Sequence, residues 1–480
     1  MREIPREEVL RRITAENGWW AAPHRIPLPD DQLTPRAYLA QFAALAFDAP
    51  VRRAVLLMGP RRVGKTVLIR HAVRVLLERG VRPERILYVS VDHPLFNGLG
   101  LADFLSAWEE ATGLSTAGGE TFVFFDEIQY LRDWERHLKA LVDQHPSVRF
   151  VASGSAAAAL RLKSQESGAG RFTDFLLPPL TFSEYLSLTE PERRAANPAA
   201  DMEALNRSFV SYVNFGGYPE VALSPEIQAD PGRFVKADII DKVLLRDLPT
   251  LYGIEDVQGL NALFTTLAFN SANEVSLEAL SRKSGVAKNT LKRYIEYLEA
   301  AFLLKVVHRV DRNARRFQRA TAFKVYLTNP SMRAALFAPV TADDPATGDL
   351  VETAVFSQWF HARTPIHYAR WDREGGEVDL VGIDAAQRPT WVTEVKWTDR
   401  PLTDPSEIAT AVLFARQHDL GEIVVTTRTA RTTRRVDEVV VRLVPAALYA
   451  LWVGSESVSQ PAGDVARRVL ARIAEDAVTA

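Results

Sequence analysis

The sequence contains no cysteine, only four methionines, and no apolar run of the roughly 20 residues that a membrane-spanning helix needs. The absence of cysteine excludes disulfide frameworks, thiolate zinc sites and cysteine nucleophiles. The first residues, MREIPREEVLRR, are charged and lack the apolar core of a secretory signal, so the sequence predicts a cytoplasmic protein. With 47% hydrophobic and 25% charged residues, the 480-residue chain has a globular composition and a length typical of about three domains.

The net charge of −2 conceals an uneven distribution of charge along the chain. Residues 275–324 hold twelve Lys and Arg against four Asp and Glu, a local +8 that leaves −10 on the rest of the chain. A basic segment in an otherwise acidic protein is typical of a module that meets a polyanion. A solvated basic face without a partner is the alternative.

The apolar segment AVLLM runs directly into a phosphate-binding motif. Residues 59–66 read GPRRVGKT and match G-x-x-x-x-G-K-[ST], between a predicted strand and a predicted helix. In this motif backbone N–H groups surround the phosphates, Lys65 reaches the β- and γ-phosphates, and Thr66 coordinates Mg²⁺. The predicted nucleotide-binding loop consists of Gly59, Pro60, Arg61, Arg62, Val63, Gly64, Lys65 and Thr66.

A second apolar strand, TFVFF, ends in Asp126 and Glu127. At the carboxyl end of a strand, Asp126 can hold the Mg²⁺ through water, and Glu127 can polarise the attacking water. The two motifs in this order predict a Mg-ATP site.

Two further residues are candidates for the same site. Ser153 follows the strand-like segment VRFVA, where a parallel sheet brings a polar residue near the γ-phosphate; a strand-end cap is the alternative. Arg171 follows a glycine and could stabilise the transferred phosphoryl group, in its own subunit or in a neighbour's, unless it is an ordinary surface arginine.

Together these segments resemble a family of prokaryotic AAA-type ATPases. The resemblance rests on GPRRVGKT, FFDEIQ, SGS, GRF, LTFSEYL and GGYPE in this order, and it covers about residues 17–445. It implies an ATPase between the AAA+ class and the signalling NTPases, whose motor domain is followed by a C-terminal domain of unassigned function.

Residues 275–299 predict a helix-turn-helix. Leu277 and Leu280 lie on one short helix, SGV forms a turn, and apolar residues of the second helix recur at i, i+3, i+4 and i+7. The resemblance implies a winged helix at the same place, and a module that contacts only proteins is the alternative. The predicted DNA contacts, on the second helix and an arginine-rich wing, are Lys288, Asn289, Lys292, Arg293, Arg312, Arg315, Arg316 and Arg319.

The last α/β segment reads as a helix, three strands, a helix and a fourth strand, an order that looks like the PD-(D/E)XK nuclease fold. Asp379 lies on the second strand, and Glu394 and Lys396 share a face of the third because side chains alternate along a strand. With Glu352 on the first helix, the three carboxylates are predicted to hold Mg²⁺ while the lysine orients or activates water. Val378 stands where the name-giving motif has proline. A domain that holds DNA without cutting it is the alternative.

The predicted fold class is therefore α/β multidomain. Its segments are an N-terminal arm with Trp19 and Trp20 packed on the ATPase (1–50), a P-loop AAA+ core (51–180), a helical lid (181–271), a winged helix-turn-helix (272–335), a PD-(D/E)XK-like domain (345–450) and a C-terminal tail (451–480).

Two functions are compatible with these segments. The basic segment favours an ATP-driven DNA motor or remodeller with a nuclease-like domain that binds or cleaves duplex or branched DNA. A signalling or defence switch that gates a protein partner is the alternative. Both need ATP and Mg²⁺, and neither involves a membrane. Because the nucleotide motifs hold no cis-acting arginine besides Arg61 and Arg62, Arg171 is expected to act between subunits of a homo-oligomer, a six-membered ring.

Overall fold

The computed structural model divides the chain into two compact units, Met1–Leu177 and Pro178–Ala480, called here the first and the second unit. Each unit contains its own sheet. Among the described helices, none has the length and apolar composition needed to cross a membrane. The structure describes residues 5–21, 33–154, 170–195, 197–310, 322–360, 362, 365–371, 376–459 and 465–479.

The first unit is built on a five-stranded parallel sheet with helices in the connections. Its strands β1 and β3, defined below, are buried at every position, which explains why they read as continuous apolar runs rather than as alternating patterns. In chain order the elements are α1 (Arg6–Glu16), α2 (Leu39–Ala43), a π-helical turn (Ala44–Asp48), β1 (Ala54–Met58), α3 (Lys65–Glu78), β2 (Ile86–Ser90), α4 (Leu101–Thr112), β3 (Thr121–Asp126), α5 (Trp134–Gln144), β4 (Val148–Gly154) and β5 (Phe172–Leu176).

The strand order β2-β3-β4-β1-β5 determines which side chains meet. Strand β4 lies between β1 and β3, and all of these pairings are parallel. The carboxyl ends of β1, β3 and β4 therefore lie at one edge of the sheet, where the phosphate-binding loop, Asp126 and Ser153 come together. Strand β5 is not predicted from the sequence.

The segment predicted as an irregular arm contains helix α1, and the turn after it covers the open edge of the sheet. The side-chain amide of Asn17 donates to the Tyr88 carbonyl at 2.8 Å and accepts from the Tyr88 N–H at 2.7 Å. The indole N–H groups of Trp19 and Trp20 donate to the Ile86 carbonyl at 3.1 and 2.9 Å. These bonds satisfy backbone groups that an edge strand would otherwise leave unpaired.

The second unit combines many helices with a mixed sheet. Its helices are α6 (Phe182–Thr189), α7 (Pro191–Ala195), α8 (Met202–Phe215), α9 (Pro219–Leu223), α10 (Pro225–Ala229), the π-helical segments Gly232–Asp241 and Val243–Asp247, α11 (Leu248–Tyr252), α12 (Val257–Phe269), α13 (Leu277–Ser284), α14 (Lys288–Ala300), α15 (Ser331–Leu336), α16 (Thr347–Phe360), α17 (Ala409–Gln417), α18 (Ala446–Ser459) and α19 (Val465–Thr479). Its strands are β6 (Glu274–Ser276), β7 (Leu304–Val310), β8 (Ala322–Leu327), β9 (Ile366–Trp371), β10 (Gly376–Ile383), β11 (Pro389–Glu394), β12 (Glu422–Thr427), β13 (Thr432–Val436) and β14 (Val439–Pro445).

One sheet joins the two segments that the sequence predicts as separate domains, 272–335 and 345–450. The strand order is β13-β14-β12-β11-β10-β9-β7-β8-β6, in which β7 pairs in parallel with β9. Strands β7 and β8 occupy the place of the predicted wing, and they are part of the same sheet as the strands of the nuclease-like segment. The alternation of residues along a strand reveals which face is buried but not which strand lies beside it. The arginines expected on the wing lie outside the described residues: Arg312, Arg315, Arg316 and Arg319.

The core of the second unit lies around α16 and α18. Helix α18 is buried along most of its length, as expected of a helix that is apolar on all sides. Helices α6 and α8, which the sequence predicts as part of a lid, pack against α18 within this unit. Much of the predicted C-terminal tail (451–480) is therefore a core element of this unit.

Candidate functional sites

The loop between β1 and α3 has a backbone shape suited to phosphate binding. Arg62 and Gly64 adopt positive φ angles of 65° and 93°, the left-handed region that glycine enters without steric cost. A Cβ atom at Gly59 would lie 2.1 Å from the carbonyl oxygen of Leu177, so a larger residue cannot fit there. Helix α3 begins at Lys65, and its N-cap Gly64 has no side chain to bond the first N–H groups. These donors and the helix dipole are directed at an anion.

Lys65 is buried within this loop. Its ammonium donates to the carbonyl oxygens of Gly59 and Pro60 at 3.0 and 2.8 Å. The loop is supported from outside by Arg36, whose guanidinium donates to the Val63 carbonyl at 2.8 Å. The positive charge of Lys65 is therefore held inside the loop that is shaped for phosphate.

Asp126, at the end of β3, accepts hydrogen bonds from three hydroxyl groups. Thr66 Oγ1 donates to Asp126 Oδ2 at 2.7 Å, and the Tyr88 hydroxyl donates to the same oxygen at 2.9 Å. Ser153 Oγ donates to Asp126 Oδ1. The structure thus brings together the predicted residues Thr66, Asp126 and Ser153, and adds Tyr88. Because these donors are neutral, they orient the carboxylate without compensating its charge.

Glu127 is held beside Asp126 in an unusual backbone conformation. Its φ of 56° lies in the left-handed region, which costs a non-glycine residue strain. The Glu127 N–H donates to Ser153 Oγ at 3.1 Å, and the side chain accepts a bond from Gln129. Burial raises the pKa of Glu127, although the positive charge of Lys65 acts in the opposite direction. A carboxylate with a raised pKa is a stronger base, as polarising a water requires.

A cavity of about 420 Å³ opens beside Asp126 and Glu127. Its lining includes two arginines, Arg12 of α1 and Arg70 of α3, which the sequence motifs did not indicate. Arg12 and Arg70 lie outside the nucleotide motifs, so the structure adds two arginines of the same subunit to the pair Arg61 and Arg62 that the motifs contain. Arg70 follows Thr66 by four residues and so shares its face of α3, a spacing that could have identified it.

Arg171 lies at the end of the sheet where β1 and β5 begin, whereas the phosphate-binding loop lies at the end where β1 finishes. It precedes β5, whose first residue Phe172 pairs with Ala54 at the start of β1, whereas the loop follows the end of β1. Its guanidinium forms a half-exposed ion pair with Asp143 at 2.6 Å. Since five strand residues span about 17 Å, Arg171 does not reach the phosphate site of its own subunit. Of the two phosphoryl-transfer roles predicted for it, only the one in a neighbouring subunit is left.

Helices α13 and α14 occupy the segment predicted as a helix-turn-helix. They are joined at Gly285, whose φ is 72°. The apolar residues of α14 are buried, and Lys288 forms an exposed ion pair with Glu278 of α13 at 2.7 Å. The predicted contacts on α14 are all exposed: Lys288, Asn289, Lys292 and Arg293.

Three carboxylates of the second unit converge on a lysine that the sequence motifs did not indicate. Lys324 of β8 is 1% exposed, although it counts toward the basic segment of the sequence. Its ammonium lies 2.8 Å from Glu352, 2.7 Å from Glu377 and 3.1 Å from Asp379. Tyr326, two residues along the same strand, donates its hydroxyl to Glu352 at 2.6 Å.

The remaining predicted residues lie around this group. Asp379 is at a register shift in the pairing of β10 with β9, a bulge of the kind that re-aims a side chain. Its Oδ2 accepts from the N–H of Val395 at 2.9 Å. Glu394 and Lys396 form an ion pair at 2.8 Å, while the buried Glu394 Oε2 has no hydrogen-bond partner in the part of the chain that the structure describes.

Burial is the largest influence on the pKa values of Glu352 and Glu394. Burial, reinforced by the negative charge of Asp379, raises the pKa of Glu394 to about 8 and that of Glu352 to about 7. Burial alone would lower the pKa of both lysines, but the carboxylates hold the pKa of Lys324 and Lys396 above their ordinary value. Both lysines are therefore cations at neutral pH.

The cluster does not fit the divalent ion predicted for Glu352, Asp379 and Glu394. In the described part of the chain, no group of three or more His, Asp or Glu side chains is arranged to hold a metal ion. The physical reason is the ammonium of Lys324, which lies between Glu352 and Asp379, while Glu394 is paired with Lys396.

Comparison with protein families agrees with the geometry of the first unit. Residues 51–186, which contain the phosphate-binding loop and the Asp126 centre, match the family described as AAA domain. The chain carries an AAA-type P-loop ATPase domain. Beyond this AAA domain, residues 206–344 match a domain of unknown function (DUF8612).

Similarity to curated proteins extends past the AAA domain. An uncharacterized protein of Methanocaldococcus jannaschii is 27% identical over 360 residues, covering 69% of this chain and 73% of that protein. An uncharacterized protein of Mycobacterium tuberculosis is 27% identical over 448 residues, 88% of this chain and 91% of that protein, so both units are included. Among solved structures, the ADP form of the Aeropyrum pernix ORC2 protein aligns with 15% identity and a TM-score of 0.33, covering 57% of this chain and 89% of that one.

Proposed function

We propose that the AAA domain hydrolyses Mg-ATP and that hydrolysis is coupled to binding of duplex or branched DNA, so that the protein acts as a DNA motor or remodeller. The observation that carries the proposal is the Asp126 centre. There, Thr66, Ser153 and Glu127 are held at the ends of neighbouring elements by direct hydrogen bonds to Asp126 or to one another.

The residues of the loop divide the work of holding the substrate. The backbone N–H groups at the start of α3 and the ammonium of Lys65 bind phosphate oxygens. Thr66 and Asp126 are the residues that would hold Mg²⁺, which supplies neutralisation of the phosphate charge when bound. Glu127 accepts the proton of the attacking water, a role that its raised pKa supports.

Support for a DNA partner comes from helix α14. Its basic residues are exposed at the start of the helix, while the face bearing Leu291 and Leu298 is buried. Cations beside a helix N-terminus suit phosphate oxygens, and asparagine can bond base edges. Because most of this surface offers charge rather than base-reading groups, we propose recognition of DNA form rather than sequence.

The nuclease-like segment enters this proposal as a domain that holds DNA without cutting it. Metal-dependent cleavage requires an open cation position among the carboxylates, and Lys324 bridges Glu352 and Asp379 there.

The decisive experiment measures ATP turnover without DNA and with single-stranded, duplex and four-way-junction DNA. Stimulation by duplex or junction DNA that disappears on reversing the charges of Lys288, Lys292 and Arg293 supports the proposal. Tight nucleotide binding with slow turnover that ignores every DNA would instead favour the signalling switch.

A further inference from the structure

The Lys324 ammonium is held by three carboxylates of the second unit. It donates hydrogen bonds to Glu352 at 2.8 Å and to Asp379 at 3.1 Å, and it forms an ion pair with Glu377 at 2.7 Å. Because the residue is 1% exposed, water makes little contribution to its solvation. The protein itself therefore supplies the cation, the ammonium of Lys324, and both orients it and shields it from water.

The pairing of β8 with β7 determines the position of Lys324 in the sheet. Strand β8 pairs with β7 from Leu304–Leu327 to His308–Phe323, which fixes Lys324 opposite Val307. Tyr326 shares its face of the strand and bonds the same Glu352 oxygen. Lys324 and Tyr326, at two successive inward-facing positions of β8, therefore both bond to Glu352.

We propose that Lys324 is a built-in cation that takes the place of a divalent metal, so that the second unit keeps a nuclease-like set of carboxylates that binds no metal while this lysine is present. A divalent ion of the Mg²⁺ type requires six or more oxygen ligands, several of them waters. The buried ammonium of Lys324, which lies within 3.1 Å of all three carboxylates, occupies the position that such an ion would need.

Glu394 provides an independent observation in favour of the inference. Among the described residues its buried Oε2 has no hydrogen-bond partner, and the residue lies close enough to Asp379 and Glu352 to be affected by their charges. A hard cation that displaces the proton of Glu394 would therefore find an oxygen that no other described side chain uses. Removal of Lys324 should therefore create a metal site from side chains that are already in place.

The test uses the full chain without nucleotide or DNA and with Mn²⁺ as the only ligand. Three proteins are compared: wild type, Lys324→Met, and the double variant Lys324→Met with Asp379→Asn. Mn²⁺ binding is measured by electron paramagnetic resonance of the free ion, and the unfolding midpoint is recorded with and without Mn²⁺.

Lys324→Met should unfold at a lower temperature than wild type without metal, because the buried Asp379 and the largely buried Glu352 lose their counter-ion. It should bind one more Mn²⁺ per chain than wild type. At a Mn²⁺ concentration of about 100 times Kd, its midpoint should rise by about 5 °C. The double variant, with one charge fewer, should recover part of the stability without metal and gain no additional Mn²⁺.

Two results would overturn the inference. One is a Mn²⁺ response of the wild-type protein that Asp379→Asn removes, a comparison that needs no unstable variant. The other is failure of Mn²⁺ to bind or restore Lys324→Met. Since ATP and DNA are absent throughout, either result leaves the proposed DNA-stimulated ATPase untouched.

Discussion

Both units contain a buried aspartate on a β-strand, Asp126 at the end of β3 and Asp379 within β10, and the two are bonded by opposite kinds of partner. Asp126 is bonded by the hydroxyls of Thr66, Tyr88 and Ser153, which are neutral. Asp379 is bonded by the ammonium of Lys324, which also holds two glutamates. Neutral donors orient a carboxylate and leave its charge to an incoming cation, whereas an ammonium removes the need for one.

The difference identifies which centre takes up a substrate from outside. Around Asp126 a loop shaped for phosphate and a cavity complete the site. Around Asp379 the protein itself supplies the cation, the ammonium of Lys324. A carboxylate cluster alone is therefore a poor indicator of a metal site until its nearest cation is known.

The largest effect is expected from substitutions at the first centre. Lys65→Ala should lower ATP turnover on the order of 100-fold or more, because the variant lacks a charge aimed at the phosphates. Glu127→Gln should lower turnover to a similar extent while nucleotide binding persists. Turnover and binding of a fluorescent ATP analogue are the measurements.

Asp379→Asn is the matched control, since it alters the same residue type in the other unit. Its basal ATP turnover should stay near that of wild type. Equal loss of turnover in Asp379→Asn and Glu127→Gln would erase the distinction between the two centres.

The second centre should make local stability depend on pH. Glu394 binds its proton up to about pH 8 in the folded protein, against an ordinary value of 4.5, so the folded state holds more protons between these limits. The free energy of unfolding should therefore fall as the pH rises from 5 to 8, by at most about 1.4 kcal/mol per pH unit for this one group. Hydrogen exchange of the β11 amides measures it.

Glu394→Gln should weaken this dependence, because the substituted side chain does not titrate and only the contribution of Glu352, whose pKa is raised to about 7, is left. Glu203→Gln, at an exposed position of α8, is the control and should leave it unchanged. A stability that rises over the same interval would contradict the burial of Glu394 as the cause.

The first centre should also depend on another subunit if Arg171 acts there. Lys65→Ala and Arg171→Ala proteins should each be deficient alone, and mixing them should restore part of the turnover. In a random one-to-one mixture, about a quarter of head-to-tail interfaces pair an intact loop with an intact arginine.

A mixture that stays as inactive as its components would exclude a trans-acting Arg171. Sedimentation in the presence of ATP gives an independent measurement, since the predicted homo-oligomer, a six-membered ring, requires assembly. A monomer under these conditions would remove the ring from the proposal.

The smallest effect is expected at the exposed face of α14. Reversing the charges of Lys288, Lys292 and Arg293 should weaken DNA binding by about tenfold and lower the slope of log affinity against log salt by about one for each phosphate that is no longer neutralised. Fluorescence anisotropy at several salt concentrations measures both quantities. The control reverses Arg207 and Arg388, which are exposed elsewhere on the second unit. Equal losses of affinity in both variants would point to net charge rather than to α14.

The residues of the ATPase site could be located from sequence patterns alone. The residues of GPRRVGKT are contiguous, and Asp126 and Ser153 each end an apolar strand. In a parallel sheet such strand ends share one edge, so local patterns were sufficient to place them together. The sequence also placed Glu352, Asp379 and Glu394 on the elements that carry them in the structure.

Helix α1 was not predicted from the sequence, because the buried face of this helix consists of only Val9 and Ile13. Two apolar residues are too few for the helical period to stand out in a window of this length.

The cation that the carboxylates of the second unit meet could not be predicted from the sequence, because it depends on the tertiary fold. Lys324 is 28 residues from Glu352 and 55 from Asp379 in the chain, and it meets them because β7 pairs with β9. Likewise, Arg171 lies far from the loop of its own subunit because β5 runs parallel to β1. Periodicity in a sequence encodes which face of an element is buried, but strand neighbours are selected by the packing of the whole unit. The sequence therefore identified the acidic groups, and the fold determined which cation they meet.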